Sequence, residues 1–236
     1  MNIIKSADRG TTDAGWLQSH HSFSFGDYHD PNRMGFRSLR VINDDIIAPG
    51  QGFPTHGHRD MEIISVVLAG ALEHKDSLGT GEVLRPGEVQ VMTAGRGIRH
   101  SEFNPSSNEE THLLQVWIMP KAGGLAPAYG QRTYPVAARR DRLVRVAGQA
   151  APTNAPDDAL VINQDAHLYV STLTPTGSVS HTIAPGRAAY VHVATGNAKV
   201  NGTRLSAGDA ATIETPGAVT IAGDGDGGEV LLFDLK

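Results

Sequence analysis

Short runs of apolar and β-branched residues, separated by Gly, Pro, Asn or Asp, recur along the whole chain. In the first half they fall at residues 36–47, 62–68, 83–84, 89–92 and 113–119. In the second half they fall at residues 168–173, 179–183, 189–194, 198–200, 210–213, 219–221 and 230–235. Runs of this length bounded by turn residues are typical of β-strands. The pattern predicts an all-β protein in which helix is marginal.

A stretch rich in Gly and Pro, KAGGLAPAYGQRTYP, interrupts this pattern and is too irregular for a core strand. We place a domain boundary there, which divides the chain into residues 1–134 and 135–236. A polar loop that is incompatible with helix follows at residues 148–156. Each half has about seven short strands with tight turns, which predicts two jelly-roll β-barrels or sandwiches. LRPGEVQVMTAG in the first half resembles LSAGDAATIETPG in the second, which favours a duplication.

Composition and charge exclude several classes of function. The formal net charge of −5 gives no excess of Lys and Arg, so we expect neither nucleic acid nor an anionic membrane as a partner. No apolar run approaches the roughly 18 residues of a transmembrane helix, and the first residues do not resemble a signal peptide, which predicts a cytoplasmic protein. The chain contains 0 Cys and 11 His, so a metal site would be built from His, Asp and Glu.

Two pairs of residues with metal-binding side chains have the spacing of neighbours on one face of a strand. His56 and His58 are two positions apart in PTHGH, and His100 and Glu102 are two positions apart in IRHSE. Side chains alternate along a strand, so each pair projects from one face where its segment is extended. The first pair alone is weak evidence, because about 0.5 H-x-H pairs are expected by chance at this His content. Together the two pairs supply four candidate ligands.

Three imidazoles and one carboxylate suit a divalent transition metal: iron, manganese, cobalt, nickel, copper or zinc. In an octahedral shell they leave two positions for water, oxygen or substrate. An open shell of this kind is typical of a catalytic centre, and the remaining positive charge favours an anionic oxygen ligand.

The spacing of glycines around these residues resembles the two motifs of the cupins. The first motif is matched by Gly50, His56, His58, Glu62 and Gly70, and the second by Gly87, Gly95, Gly97, His100 and Asn104. Three longer blocks are similar to the pirins, and in particular to the bacterial pirin-like quercetin 2,3-dioxygenases. These blocks are HSFSFGDYHDPNRMGFRSLRVINDD, HGHRDMEIISVVLAGALEHKDSLG and MTAGRGIRHSEFNPS. The likeness is dense over residues 21–120 and thin afterwards.

This resemblance implies a bicupin whose first domain binds one metal ion, usually iron, through His56, His58, His100 and Glu102. General cupins take their carboxylate ligand from the first motif, here Glu62, whereas pirins take it from the position of Glu102. Glu62 would then be hydrogen-bonded beside the site or merely structural. The resemblance also implies a degenerate second domain without a metal.

Other polar residues are interpreted as structural. Asp44 and Asp45 in RVINDDIIAPG are predicted to form a turn, and GDGDGG at residues 223–228 a hairpin loop. His167, His181 and His192 are predicted to be exposed or hydrogen-bonded. A strand or loop surface is predicted for a further set of histidines: His20, His21, His29, His74 and His112.

Two classes of function fit this site. The resemblance implies an enzyme that uses the metal and dioxygen to open the central ring of a flavonol, with Glu102 as the base that takes the proton of the 3-hydroxyl. The alternative is a metal-bearing, redox-responsive regulator that binds protein partners without turnover of its own. Under either hypothesis we expect a monomer.

Overall fold

The protein is described by a computed structural model that covers residues 1–150 and 158–236. The chain divides into two compact units. The N-terminal unit consists of Arg9–Thr133 and Leu160–Gln164. The C-terminal unit consists of Met1–Asp8, Tyr134–Ala159 and Asp165–Lys236. The first eight residues therefore group with the C-terminal unit, although the predicted first domain of residues 1–134 contains them.

The described residues form short strands throughout, with one 3₁₀ turn at Ser6–Asp8 and one helical turn, α1, at Val136–Arg139. The strands of the first half are β1 (Asn2–Ile4), β2 (Gly10–Asp13), β3 (Leu17–His21), β4 (Leu39–Ile47), β5 (Gly52–His58), β6 (Glu62–Ala69), β7 (Leu72–Asp76), β8 (Gly81–Leu84), β9 (Glu88–Thr93), β10 (Ile98–Phe103), β11 (Thr111–Ile118) and β12 (Ala128–Thr133). Those of the second half are β13 (Val144–Gly148), β14 (Leu160–Val161), β15 (Ala166–Leu173), β16 (Ser178–Ile183), β17 (Ala188–Val193), β18 (Asn197–Val200), β19 (Thr203–Ser206), β20 (Ala210–Ile213), β21 (Gly217–Gly223) and β22 (Gly228–Leu235).

The N-terminal unit is a sandwich of two antiparallel sheets. The larger sheet has the order β12-β9-β6-β11-β4-β3-β2, and the smaller has the order β5-β10-β7-β8. Apolar side chains from both sheets pack into one cluster, in which Leu17, Ile47 and Leu113 of the larger sheet meet Leu72 and Leu84 of the smaller. Burying these side chains between the layers stabilises the fold by about 1.5–3 kcal/mol for each fully buried residue.

The C-terminal unit repeats this architecture. Its larger sheet runs β1-β20-β17-β22-β15-β13, and its smaller sheet runs β16-β21-β18-β19. Its core is apolar and draws on both layers, with Val191 and Leu232 from the larger sheet and Val219 and Ile221 from the smaller. The prediction of an all-β chain with two sandwich domains is confirmed.

The repeated sequence falls on corresponding strands of the two units. LRPGEVQVMTAG contains β9, which pairs with β6, and LSAGDAATIETPG contains β20, which pairs with β17. Both β9 and β20 lie second from the edge of their larger sheets in these orders. The resemblance therefore coincides with a shared topology.

Some predictions at the level of elements are wrong. Asp44 and Asp45 do not form a turn, because both lie within β4, which pairs along its length with β11. The irregular stretch is not a core strand, as predicted, but it contains the edge strand β12, which pairs only with β9 among the described strands. The predicted loop at 148–156 lies largely outside the described residues.

Among the residues described, no helix is long and apolar enough to cross a membrane.

Gly70, in the turn between β6 and β7, offers a test of this packing. Its φ is +73°, and an added Cβ would overlap the carbonyl oxygen of Glu110. We expect Gly70→Ala to lower the free energy of unfolding by about 1–2 kcal/mol for the left-handed backbone and about 1–3 kcal/mol more for the overlap. Chemical denaturation measures this change.

Gly79, in the turn between β7 and β8, is the matched control. Its φ is +92°, but an added Cβ would meet nothing within 4 Å. Gly79→Ala should therefore show only the backbone cost. Equal losses for the two variants would contradict the close approach at Gly70.

Candidate metal centre

Three histidines of the smaller sheet converge on one point of the N-terminal unit. His56 and His58 share a face of β5, and the neighbouring strand β10 places His100 opposite His56. The ring centroids of His56 and His100 lie 4.5 Å apart, and those of His58 and His100 lie 4.9 Å apart. One nitrogen from each of the three rings lies within 4.8 Å of the others. The structure therefore brings together three of the four predicted ligands.

The chemistry of this cluster fits a metal ion. Nε2 of His100 is buried and has no hydrogen-bond partner, which is a costly state for a polar atom unless something else binds it. Burial lowers the pKa of His58 to about 4 and that of His100 to about 4, and the neighbouring imidazoles add to the effect at His58. Both rings are therefore neutral at pH 7, which is the form that binds metals.

Glu102, the fourth predicted ligand, lies beside this cluster. It projects from the same face of β10 as His100, and an irregularity in the pairing with β5 places it opposite Phe53. Its carboxylate groups with His100 and His74, with one ligand atom from each within 4.8 Å of the others. His100 therefore belongs to both groups, whereas His56 and His58 belong only to the first.

Glu102 is held by three members of a row of polar residues that crosses the larger sheet. The row lies in register across adjacent strands and consists of Gln131, Gln90, Ser65, Gln115, Asn43 and His21. Gln115 donates to Oε2 of Glu102 at 2.8 Å, while Ser65 and Gln90 both donate to Oε1 at 3.4 Å. These donors replace the water that a buried carboxylate loses.

A second chain of contacts orients His100. Nδ1 of His100 lies 3.4 Å from Nδ1 of His74, and Nε2 of His74 lies 3.0 Å from a carboxylate oxygen of Asp76. When Nδ1 of His100 carries the proton, it donates to His74, and Nε2 of His100 is left with its lone pair. Contacts of this kind fix the ring and the tautomer of a metal ligand. The prediction that His74 lies on a surface is wrong, because its exposure is 0%.

The same contacts set the charges around Glu102. Burial alone would raise the pKa of Glu102, but His74, whose Nδ1 lies 3.9 Å from Oε1, and the neighbouring histidines outweigh it and lower the pKa. Burial opposes protonation of His74, but its contacts with Glu102 and Asp76 raise its pKa. Glu102 is therefore an ionised carboxylate inside the sandwich.

Glu62 faces away from this cluster. It begins β6 in the larger sheet, so it does not share a strand with His56 and His58. Thr93 donates to Oε2 of Glu62 at 2.8 Å, and Asn163 donates to Oε1 at 3.1 Å. Both carboxylate oxygens therefore have a structural partner within the unit.

The histidine cluster opens into a cavity of about 580 Å³ within the N-terminal unit. Next to the histidines its wall is aromatic. Trp117 packs edge-on against His58 at a centroid distance of 5.0 Å, Phe25 packs against Trp117 at 5.3 Å, and Phe53 lies 6.4 Å from His56. A cavity of this size and lining suits a small, flat, apolar molecule with a few polar groups.

Sequence reasoning missed several residues of this cavity. Asn43 and Asp45 line it from β4, and His21 lines it from β3. His21 is only 2% exposed, so the prediction that it lies on the surface is wrong. The same prediction is partly wrong for His112, because this side chain is half-buried and hydrogen-bonded to Asp44. The alternation of β4 would have placed Asn43 and Asp45 on one face, had its strand been predicted to run through them.

His20, His29, His167 and His181 follow the structural interpretation. His20 and His29 are exposed. In the C-terminal unit, His181 lies 2.8 Å from Asp234, and His167 lies 3.3 Å from Arg145. His192 is fully buried in β17.

Comparison with known proteins shows one consistent family. A model of the pirin family matches residues 4–118, and a model of the quercetinase C-terminal cupin domain matches residues 149–235. The chain is 46% identical to quercetin 2,3-dioxygenase of Escherichia coli K12 over 233 residues, which are 99% of this chain and 97% of that protein. It is 42% identical to a pirin-like protein of Caulobacter vibrioides over 225 residues, 95% of each chain.

Solved structures agree. The crystal structure of YhhW from Escherichia coli has a TM-score of 0.92 at 46% identity and covers 100% of this chain and 97% of that chain. A second structure, of the bacterial pirin YhhW in complex with nickel(II), has a TM-score of 0.91 and covers 99% of this chain and 98% of that chain.

The contribution of the hydrogen bonds to Glu102 can be measured as a change in the free energy of unfolding. Gln115→Met removes the shortest of them and leaves a buried carboxylate oxygen without its donor. We expect a loss of about 1–3 kcal/mol in the free energy of unfolding, measured by chemical denaturation. Gln90→Met removes a contact of 3.4 Å from another buried strand position and should cost less. The reverse order would show that Gln115 does not hold the carboxylate.

Proposed function

Because the chain belongs to the pirin family and is a quercetin-dioxygenase-like enzyme, we propose that it uses a bound metal ion and dioxygen to open the central ring of a flavonol such as quercetin. The observation that carries this proposal is the position of the histidine cluster at the aromatic wall of a 580 Å³ cavity. The names of the relatives support the choice of substrate.

We propose that His56, His58, His100 and Glu102 hold the metal ion. Three neutral imidazoles and one carboxylate leave a net charge of +1 on a divalent ion, which favours an anionic oxygen ligand. Iron is the metal proposed, and the structure of YhhW in complex with nickel(II) supports a first-row divalent ion. When bound, the ion supplies Lewis acidity toward the 3-hydroxyl of the flavonol and a centre for electron exchange with dioxygen.

The aromatic wall positions the substrate. Trp117 and Phe53 flank the histidines, and flat rings pack against such side chains edge to face or offset. This packing removes water from around the reacting ring and keeps the 3-hydroxyl beside the cluster. Correct placement alone lowers the barrier substantially, because the entropy of bringing the groups together is lost on binding.

Glu102 is the proposed base. Its Oε2 is fixed by the short bond from Gln115, while its Oε1 has only the 3.4 Å contacts with Ser65 and Gln90. Oε1 therefore has lone pairs available for the metal ion and for the proton of the 3-hydroxyl. His74, held by Asp76, supports the negative charge of Glu102 until it takes that proton.

The regulatory alternative requires the same four residues, so the cluster does not separate the two functions. The aromatic cavity favours the enzyme, because binding a protein partner needs no enclosed space next to the metal. Oxygen uptake with quercetin, measured together with the metal content of the purified protein, tests the enzyme directly. A metal-loaded protein that consumes no oxygen, but retains protein partners only when the metal is present, would support the regulator.

The identity of the carboxylate ligand can be tested with two isosteric substitutions. We expect Glu102→Gln to abolish metal retention and oxygen uptake, because it removes the anionic oxygen beside three neutral imidazoles. Glu62→Gln is the matched control, since Glu62 is equally buried and bonded to Thr93 and Asn163. It should cost no more than about 10 to 100-fold in affinity or activity. Metal contents are measured by elemental analysis.

A stronger effect of Glu62→Gln than of Glu102→Gln would return the site to the general cupin arrangement. His100→Ala should match Glu102→Gln, because each change removes a direct bond to the ion.

Removal of the metal should lower thermal stability without unfolding the chain. The apolar cores supply most of the folding energy, and a bound ion adds only about 2.7 kcal/mol when its free concentration is roughly 100 times its Kd. Thermal unfolding before and after chelation measures this difference. A chain that unfolds completely in chelator at room temperature would contradict it.

A further inference from the structure

The cavity has a polar wall whose hydrogen bonds are nearly complete. Thr12 donates to Nε2 of His21 at 2.8 Å, and Nδ1 of His21 donates to Oδ1 of Asn43 at 2.8 Å. Burial lowers the pKa of His21, so the ring is neutral and its two nitrogens match these two partners. Both ring nitrogens of His21 are therefore hydrogen-bonded within the protein and do not need a ligand.

Asp45 is the exception on this wall. It lines the cavity and is 3% exposed, yet its Oδ1 has no hydrogen-bond partner. Ser19, directly opposite on β3, donates to the carboxyl group, which leaves one oxygen unsatisfied. Buried polar atoms without partners are rare and costly, so a hydroxyl group of a molecule in the cavity would stabilise this carboxyl group.

The surroundings of Asp45 determine what this group can bind. Burial raises the pKa of Asp45 to about 7, helped by the charges of Asp44 and Glu102. The carboxyl group is therefore present in both its neutral and charged forms near neutral pH, and it can donate or accept a hydrogen bond. A phenolic hydroxyl can do either as well. Leu17 and Phe53 also line the cavity, so the partner must be part of an apolar molecule.

The position of Asp45 separates it from the reacting end of the cavity. Asn43 lies opposite Gln115, whose amide holds Glu102, and Asp45 is two residues further along β4 on the same face. Two residues of a strand span about 7 Å. This length is comparable with two fused six-membered rings, so one flat molecule can reach the histidine cluster with one hydroxyl and Asp45 with another.

We propose that Asp45 is a substrate-specificity residue, which binds through its carboxyl group a ring hydroxyl of the substrate remote from the one that faces the histidine cluster. The inference rests on the proposed function for the chemical class of the substrate. Asp45 thereby selects a polyphenol over a flavonol that has only its 3-hydroxyl. A site built to bond a hydroxyl discriminates strongly against an analogue without it, because the buried polar group is then left unpaired.

The experiment measures equilibrium binding without oxygen, on the metal-loaded protein, by calorimetry. The probes are quercetin and 3-hydroxyflavone, which keeps the 3-hydroxyl and lacks all other hydroxyls. In Asp45→Leu we expect quercetin to bind roughly 10 to 100-fold more weakly, the loss of one hydrogen bond to a buried polar group. Binding of 3-hydroxyflavone should stay within about twofold of its value for the unaltered chain, since no bond to Asp45 is lost.

Asp44→Asn is the matched control. Asp44 is adjacent in β4 but bonds to Arg9 and His112 and does not line the cavity. It should leave the binding of both probes unchanged. Asp45→Asn serves if Asp45→Leu does not fold, and it should weaken quercetin in the same direction by a smaller factor, because the amide keeps one oxygen.

The inference would be overturned if Asp45→Leu lost affinity equally for the two probes or lost none for either. It would also be overturned if the unaltered chain did not bind quercetin. Oxygen uptake is followed separately. Selective binding through Asp45 without oxygen uptake would refute the proposed reaction and leave this inference standing. Oxygen uptake with quercetin, together with no effect of Asp45→Leu on quercetin binding, would support the proposed reaction and refute this inference.

Discussion

The N-terminal unit depends on a carboxylate that is buried between two sheets. Glu102 is 2% exposed, and removing such a charge from water costs several kcal/mol unless hydrogen bonds and opposite charges replace the solvent. The replacements come from Ser65, Gln90 and Gln115, which lie on three adjacent strands. A slip of one residue in any of these strands would turn its donor to the other face. The hydrogen bonds that stabilise the charge of Glu102 therefore form only when the strands of the larger sheet pair in this register.

The apolar residues on either side of the polar row offset the free-energy cost of burying its polar groups. Two positions along the strands in one direction, Ile63 and Met92 belong to an apolar cluster, and in the other direction Val67 and Leu113 belong to a second. On β6 and β11 the polar row is thus one layer thick, whereas on β4 and β3 it continues to Asp45 and Ser19. The smaller sheet places His100 and His74 against this layer, so the candidate metal centre lies where the polar faces of the two sheets meet.

Local signals in the sequence were sufficient for apolar strands such as β6, β9 and β11 and for the spacing of the histidines, but not for polar strands such as β2, β3 and β7. The H-x-H of β5 and the H-x-E of β10 needed only the two-residue period of a strand, and the structure shows both pairs on single faces. In β4 the same period places Asn43 and Asp45 on one inward face, but two adjacent carboxylates beside a Pro-Gly sequence locally favour a turn. His74 and His21 were missed for a related reason. Their partners, Asp76, Glu102, Thr12 and Asn43, are mostly brought to them by strand pairing, which no local pattern reports. Polar residues on an inward face break the usual alternation, and such breaks concentrate at functional sites.

The C-terminal unit shows that the fold itself does not require this polar layer. In its larger sheet, the strands that correspond to β9, β6, β11 and β4 carry an inward row in register that is mainly apolar: Ala211, Val191, Leu232 and Tyr169. In its smaller sheet, Ile221 lies opposite Val200, where the N-terminal unit has Glu102 opposite His74. The same topology therefore closes around an apolar core in one unit and around an ionised carboxylate in the other. Since an apolar filling is generally at least as stable as a buried charge with its partners, folding does not account for the polar row. The row is best explained by what it holds, which is Glu102 beside three neutral imidazoles at the wall of a cavity.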